Sequence, residues 1–336
     1  MNGKRWAALG IAAGVLCVSL VINSASAFLF TDFSKIIEDN FISGTSFVEE
    51  TIESGNMAKK IAVLEVDGVI QDTGETPSIF SSGYMHREFM EKLNHVKDDK
   101  SVKAIMIYVN SPGGGTNESA EIHKKLVDIK KETKKPIYIS MGAMAASGGY
   151  YISAPADKIY ASPETLTGSL GVIMQGVNFS ELADKYGVDF MTIKSGPYKD
   201  IMSSYREMTK EEKVILESML ANSYDEFVRI IAEGRGMSEA KVRELADGRI
   251  YDGRQAKEVG LIDDFGYRED VIAQLKKDYK PLKDAAVVSY SSSASGLGSL
   301  FGVAAQKIGG KEAEMSGILK LLSHPNAPRL MYLYSE

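Results

Sequence analysis

A serine among small residues, a triplet of glycines and a lysine in a Gly-Pro loop are the parts of this 336-residue chain best suited to chemistry. Ile137 to Tyr151 reads I-Y-I-S-M-G-A-M-A-A-S-G-G-Y-Y. Behind Pro136 it begins as the apolar run of a buried strand, then passes through small residues to Ser147, Gly148 and Gly149. A serine on a tight strand-to-helix turn projects its hydroxyl above a sheet, and the amides that follow can stabilise an oxyanion. Ala143, Ala145 and Ala146 leave room for a substrate. The competing reading is an inert Ala/Gly turn that packs a helix closely on a sheet.

A nucleophilic serine needs a base, and the usual one is histidine. The four histidines are His86, His95, His123 and His324, so none lies between Lys124 and Ser323. His123, beside Lys124 and Lys125, reads as solvated on the outer part of its helix. Lysine is the alternative, provided it is neutral. Moving its pKa from about 10.4 to about 7 costs about 4.6 kcal/mol, which burial in an apolar pocket can supply. Most lysines here lie in runs on polar helix faces. Lys199 differs: it follows Gly196-Pro197-Tyr198 and precedes Asp200 and the apolar pair Ile201-Met202. Lys194 is its nearest competitor, and an ordinary solvated loop lysine is the alternative reading. An oxyanion also needs two preorganised donors. Pro112-Gly113-Gly114-Gly115 can present backbone N–H groups at a cleft, with Gly148 as a second source. No Lys-Ser/Thr pair follows these glycines, which argues against a phosphate loop.

The elements that must position these groups are legible as strand–loop–helix units. Ile61 to Val66, Lys103 to Val109, Ile137 onward and Lys158 to Ala161 read as strands. Tyr84 to Val96 and Asn117 to Glu132 have helical apolar spacing. In the second, Ile122, Leu126 and Ile129 face inward. Units at roughly 30–40 residue intervals predict an α/β protein of βαβ-like pieces. Phe179 to Tyr186 reads as a short helix and Asp189 to Ile193 as a strand. Thr209-Lys-Glu-Glu212 has capping-box form and opens a long helix ending near Gly234. Val287 to Leu300 is Ser/Gly-rich and reads as a linker. The apolar Met331 to Tyr334 either packs at a subunit contact or lies in an active-site groove.

Composition is ordinary for a globular chain: 44% hydrophobic, 25% charged, net charge −6. The negative balance speaks against nucleic acid. Four histidines and one cysteine (Cys17) make a dedicated metal cluster unexpected, and neither a metal nor a cofactor is predicted. Lys4 and Arg5 precede an uncharged stretch from Trp6 to Phe30, which as a helix would reach about 37 Å. With Asp32, Glu38 and Asp39 beyond it, this predicts a single-pass anchor with the body outside the cytoplasm. A cleaved leader ending at Ala25-Ser26-Ala27 is the alternative. The expected organisation is an anchor over residues 1–30, a stalk with one short helix over 31–58, a catalytic domain over 59–280, and a linker and tail over 281–336.

In combination, Asn110-Ser-Pro-Gly-Gly-Gly115, Ala145-Ala-Ser-Gly-Gly-Tyr-Tyr151, Thr167-Gly-Ser-Leu-Gly-Val172 and Gly196-Pro-Tyr-Lys-Asp200 resemble signal peptide peptidase A of the short bacterial type. The resemblance runs from about Ile61 to Tyr267 and implies a Clp-protease/crotonase-like fold, a repeated β-β-α superhelix. It implies a membrane-anchored serine endopeptidase that uses a Ser-Lys dyad on hydrophobic remnants of signal peptides. Carried over by motif, Ser147 is the nucleophile, Lys199 the general base, Ser169 the residue orienting the lysine, and Gly114 and Gly148 the oxyanion donors. It further implies a homo-oligomeric ring, an octamer, whose sites combine Ser and Lys from adjacent protomers. Two other classes compete: a crotonase-type acyl-CoA lyase or isomerase with Ser147 structural, and a catalytically silent membrane scaffold.

Overall fold

The computed structural model describes residues 47–74, 83–292 and 330–334. The anchor segment Trp6 to Phe30 and the Ala25-Ser26-Ala27 site lie outside these residues. Among the described residues, no helix is long and apolar enough to cross a membrane. From Glu49 on, they belong to one unit.

In chain order the elements are β1 (Phe47–Glu53), β2 (Asn56–Asp67), α1 (His86–Asp98), β3 (Val102–Ser111), β4 (Gly113–Gly115), α2 (Thr116–Thr133), β5 (Ile137–Ala146) and α3 (Gly148–Ser153). There follow β6 (Lys158–Ala161), β7 (Leu166–Gly168), α4 (Ser180–Lys185), α5 (Lys210–Arg235), α6 (Glu239–Leu245), β8 (Ile250–Asp252) and α7 (Gly253–Glu258). The last are β9 (Asp264–Phe265), α8 (Arg268–Asp278), β10 (Ala285–Ser292) and β11 (Met331–Leu333). One sheet runs in the order β1-β10-β2-β3-β5-β6-β9, parallel from β10 through β9. Parallel pairing buries both faces, which explains the unbroken apolar runs of β2 and β3. One face packs on α8, where Ile61, Val63, Ala104, Met106 and Tyr138 meet Val271, Ile272 and Leu275. Helices α1, α2 and α3 pack together on the other.

The predicted α/β units hold. Helix α2 buries Ile122, Leu126 and Ile129 as its spacing requires. Helix α5 opens on the Thr209/Glu212 capping box. Three local readings are corrected. Phe47–Glu53 and Asn56–Ala58, read as stalk, belong to strands: β1 neighbours β10, and Asn56 pairs with Ala285, as Lys60 just beyond pairs with Ala286. Val287 to Ser292, read as linker, forms β10. Its serines defeat the apolar pattern, but its backbone pairs in parallel with Ile61–Val63. Asp189 to Ile193 alternates like a strand yet forms none, and Phe190, Met191 and Ile193 are exposed. Alternation predicts a strand only where a partner strand lies alongside.

Candidate active site

Strand β5 carries the serine to the carboxyl end of the sheet, and β7 pairs in parallel with its last three residues, Met144–Ala146. Chain direction then reverses abruptly at Ser147, which takes φ 52° and ψ −114°. A positive φ is rare for a residue with a Cβ and marks stored strain. Two bonds hold it: the Ser147 N–H donates to the Gly168 carbonyl (2.7 Å), and the Tyr151 N–H donates to the Ser147 carbonyl (2.9 Å). The residue is 1% exposed, and among the described residues its Oγ has no hydrogen-bond partner. Leaving a buried hydroxyl unpaired costs about 1–3 kcal/mol, so the fold holds this oxygen unsatisfied at a strained turn.

The glycine triplet forms β4 beside it. Ile70 grips β4 from one side: its N–H donates to the Gly113 carbonyl and its carbonyl accepts from the Gly115 N–H, both at 2.8 Å. This grip leaves the Gly114 N–H pointing the opposite way, and any Cβ on Gly114 would overlap the Ile70 carbonyl. Gly113 needs its glycine for another reason, a φ of +100°. A Cβ built on Gly148 would lie 3.1 Å from the Gly114 nitrogen, so the two expected oxyanion donors are neighbours.

The open side of β4 is covered by β11. It runs antiparallel, pairing Met331, Tyr332 and Leu333 with Gly115, Gly114 and Gly113. The Tyr334 N–H donates to the Pro112 carbonyl and the Thr116 N–H to the Leu330 carbonyl. Antiparallel ladders alternate bonded and non-bonded pairs, which makes Gly114 and Tyr332 a bonded pair. On its other edge Met331 exchanges both backbone bonds with Ile173, each 3.0 Å. The Tyr332 side chain is 2% exposed, with its ring stacked on Tyr151 at 4.8 Å and packed on Phe227 at 4.7 Å. Its hydroxyl donates to the Ser223 carbonyl at 3.1 Å. Leu333 and Tyr334 then border a cavity of about 420 Å³ with Ser169, Tyr224 and Asp247. Of the two readings of Met331 to Tyr334, the groove matches the position observed within one chain.

Ser169 sits one residue beyond the carbonyl that holds Ser147, at φ 48°, with its N–H donated to the Arg249 carbonyl (2.8 Å). Ser147, Ser169, Gly114 and Gly148 thus share one corner. Lys199 does not join them. It is exposed on the loop after α4, and its Nζ contacts no acceptor among the described residues. His123 is corrected too. It is half-buried, packing edge-on against Tyr151 at 5.5 Å, and burial, reinforced by Arg229, pushes its pKa down to about 4. His86 is buried between the Tyr84 hydroxyl (2.7 Å) and Glu121 (2.8 Å). Two functional features escaped the sequence reading. The Ile70 clamp consists of backbone bonds and leaves no residue-type signal. The aromatic seat of Tyr332 had one signal in Tyr151 beside the Ser-Gly-Gly turn, but its partner Phe227 lies far along the chain.

A strained, unpaired serine facing backbone amides beside an extended segment of polypeptide is the layout of a serine hydrolase that handles peptides. Comparison with known proteins agrees. Residues 129–282 match the model of peptidase family S49, and residues 81–167 match that of Clp protease. A relative from Enterococcus faecium, "Putative signal peptide peptidase SppA", is 42% identical over 99% of both chains. "Protease 4" of Haemophilus influenzae is 34% identical over 72% of this chain and 38% of its own. "Serine protease SPPA, chloroplastic" of Arabidopsis thaliana is 30% identical over 79% of this chain and 39% of its own. The chain belongs to peptidase family S49. It is a serine peptidase with a Clp-protease-like α/β fold, which sets aside the acyl-CoA lyase reading.

Proposed function

We propose that this peptidase cuts extended apolar peptides at a site made of Ser147 from one copy and Lys199 from a second. The observation that carries the reading is the seat of β11. A stretch of polypeptide lies between Ile173 and the glycine strand, with its Tyr332 carbonyl directed at the Gly114 amide. A substrate held in that way presents a carbonyl to the oxyanion donors and a side chain to the Tyr151–Phe227 seat.

The chemistry is acyl transfer in two steps. Neutral Lys199 takes the proton of Ser147 Oγ as that oxygen bonds to the peptide carbonyl carbon. The amides of Gly114 and Gly148 hold the oxyanion, and the lysine ammonium gives its proton to the departing amine as the C–N bond breaks. Water then adds to the ester with Lys199 again as base, releasing the acid and restoring Ser147. Ser169 orients the ammonium.

Two facts support sharing between copies: among the described residues Ser147 Oγ has no partner, and Lys199 is exposed. Around the lysine, Tyr186, Met191 and Ile193 are exposed as well, Met191 by 95%. Apolar surface of this kind is what a second copy covers. The relatives named for signal peptides support remnant signal peptides as the natural substrate, and the Trp6–Phe30 stretch supports a membrane-anchored enzyme with its body outside the cytoplasm. A closed ring of copies, an octamer, meets the same requirement at every site.

Complementation tests the reading. Ser147→Ala and Lys199→Ala proteins should each be inactive on an apolar peptide. Unfolded and refolded together, they should regain activity at the sites that combine an intact serine with an intact lysine. No activity in the mixture would overturn sharing, and an active Lys199→Ala protein would overturn the lysine as base.

A further inference from the structure

The loop that presents Lys199 contains neither strand nor helix, and α4 before it buries no side chain. A base must be held within a fraction of an ångström, so something other than core packing has to fix this loop. One ring pair and several neutral hydrogen bonds contribute. Tyr205 stacks on Phe190 at 4.0 Å, and the Phe179 N–H donates to the Ser204 carbonyl. Within the loop the Lys199 N–H donates to the Gly196 carbonyl, the Ile201 N–H to the Tyr198 carbonyl and the Ser203 N–H to the Asp200 carbonyl, and Asn178 Nδ2 donates to the Arg206 carbonyl. The charged contacts form one ionic ladder centred on Arg206.

Arg206 Nε donates to Asp200 Oδ2 (2.9 Å), and Nη2 donates to Asp200 Oδ1 (2.6 Å) and to the Asp200 carbonyl (3.2 Å). Its other side reaches Glu212: Nη1 donates to Oε2 (2.8 Å), and Nη2 also contacts Oε1. Nη1 further donates to the Glu207 carbonyl (2.9 Å). A guanidinium carries five N–H donors in a rigid fork, and here both forks grip a carboxylate. Lys194 Nζ completes the loop, donating to Asp200 Oδ1 (2.7 Å) and the Pro197 carbonyl (3.1 Å). Glu212, with its side chain only 1% exposed, is also the capping-box glutamate of α5, accepting from the Thr209 N–H at 2.9 Å. Farther along, α5 buries Phe227, whose ring packs on Tyr151 at 5.1 Å, four residues after Ser147. One mechanical line thus runs from the nucleophile helix α3 along α5, through Glu212 and Arg206, to the residue next to Lys199.

We propose that Arg206 is a positioning residue for Lys199, fixing the loop that presents the lysine and keeping the adjacent Asp200 carboxylate occupied so that it does not pair with the base. The proposal rests on Lys199 being that base. Its second half is chemical. A carboxylate paired with a lysine favours the ammonium and raises its pKa, which is the wrong direction for a general base. The charged groups on the lysine's own loop are Asp189, Lys194, Asp200, Arg206 and Glu207. Those on the first turn of α5 are Lys210, Glu211, Glu212 and Lys213, and those on α4 are Glu181, Asp184 and Lys185. Asp200 is the carboxylate adjacent in the chain. Arg206, with Lys194, holds its carboxyl well below the usual range, as expected of a carboxylate engaged on both oxygens.

The test is the pH profile of kcat/KM, with kcat, KM and oligomeric state, for Arg206→Met, Arg206→Lys, Asp200→Asn and the Arg206→Met/Asp200→Asn pair in the full chain. Arg206→Met should lower kcat by on the order of 10–100-fold with KM within about twofold, and move the limb for base deprotonation up by about a unit. Adding Asp200→Asn should return that limb to its original pH without restoring the rate. Arg206→Lys keeps the charge and loses the fork, so the limb should stay while kcat falls. If Arg206→Met fails to assemble, Arg206→Lys decides alone: parental kcat in the assembled protein overturns positioning. Losses wholly explained by dissociation, or a limb that never moves, also overturn the proposal. An active Lys199→Ala protein removes the base assignment itself, whereas an inactive one alongside a parental Arg206→Met removes this inference only.

Discussion

The corner around Ser147 and the arm around Lys199 are built by opposite means. The corner is buried, made from small residues, and fixed by backbone bonds to Gly168 and Ile70. The arm is exposed, carries large apolar side chains outward, and is fixed by side-chain ion pairs. Backbone bonds in a dry corner set a geometry that does not depend on salt or pH. Ion pairs near solvent weaken with screening. The contrast teaches that the serine half is set by backbone bonds within one chain, while the lysine half is set by side-chain pairs on an exposed arm.

Replacing Gly114 with Ala breaks the rigid half most directly. The new methyl group overlaps the Ile70 carbonyl, so β4 must shift and its amide turns away from the oxyanion. Peptidase kcat should fall by about 10²–10³-fold, the usual cost of one lost oxyanion donor. A loss below about fivefold in a folded protein would mean that Gly114 is not a donor. On the arm, Ile193→Glu puts a charge into the exposed apolar surface. Sedimentation should show smaller assemblies and an activity loss of about tenfold or more at low concentration, with little change in the unfolding of the body. Unchanged assembly would show that this surface faces solvent.

The smallest effect sharpens the contrast within the corner. His123, with a folded pKa of about 4 against an ordinary value of about 6.5, is kept neutral by its packing. A depressed pKa stabilises the fold fully above pH 6.5, and the contribution disappears as pH falls toward 4. Its loss is worth at most about 3 kcal/mol. Denaturant unfolding of His123→Phe should be flatter with pH across that window. An identical slope in both proteins would discard the assignment.

The legible half of the site was the buried one. Pro136, the apolar run and the small residues before Ser147 follow local rules, as do the Thr209 cap and the inward face of α2. What escaped depends on partners distant in sequence. β10 becomes a strand because Ile61–Val63 lies beside it, and Asp189 to Ile193 does not because nothing does. His123 looked wet beside Lys124, but the ring that covers it belongs to Tyr151. Lys199 stood out by its Gly-Pro loop, yet no local pattern reveals that the loop is exposed and tied down by the Arg206–Asp200 pair.

The flank of β4 that β11 covers would, without β11, be a bare sheet edge. A bare sheet edge is a standing invitation to any extended chain, including misfolded neighbours. Here the invitation is three residues long, all glycine, and closed on its far side by Ile70. Such an edge is long enough to hold a passing peptide in register, and too short and too bare of side chains to nucleate a growing sheet.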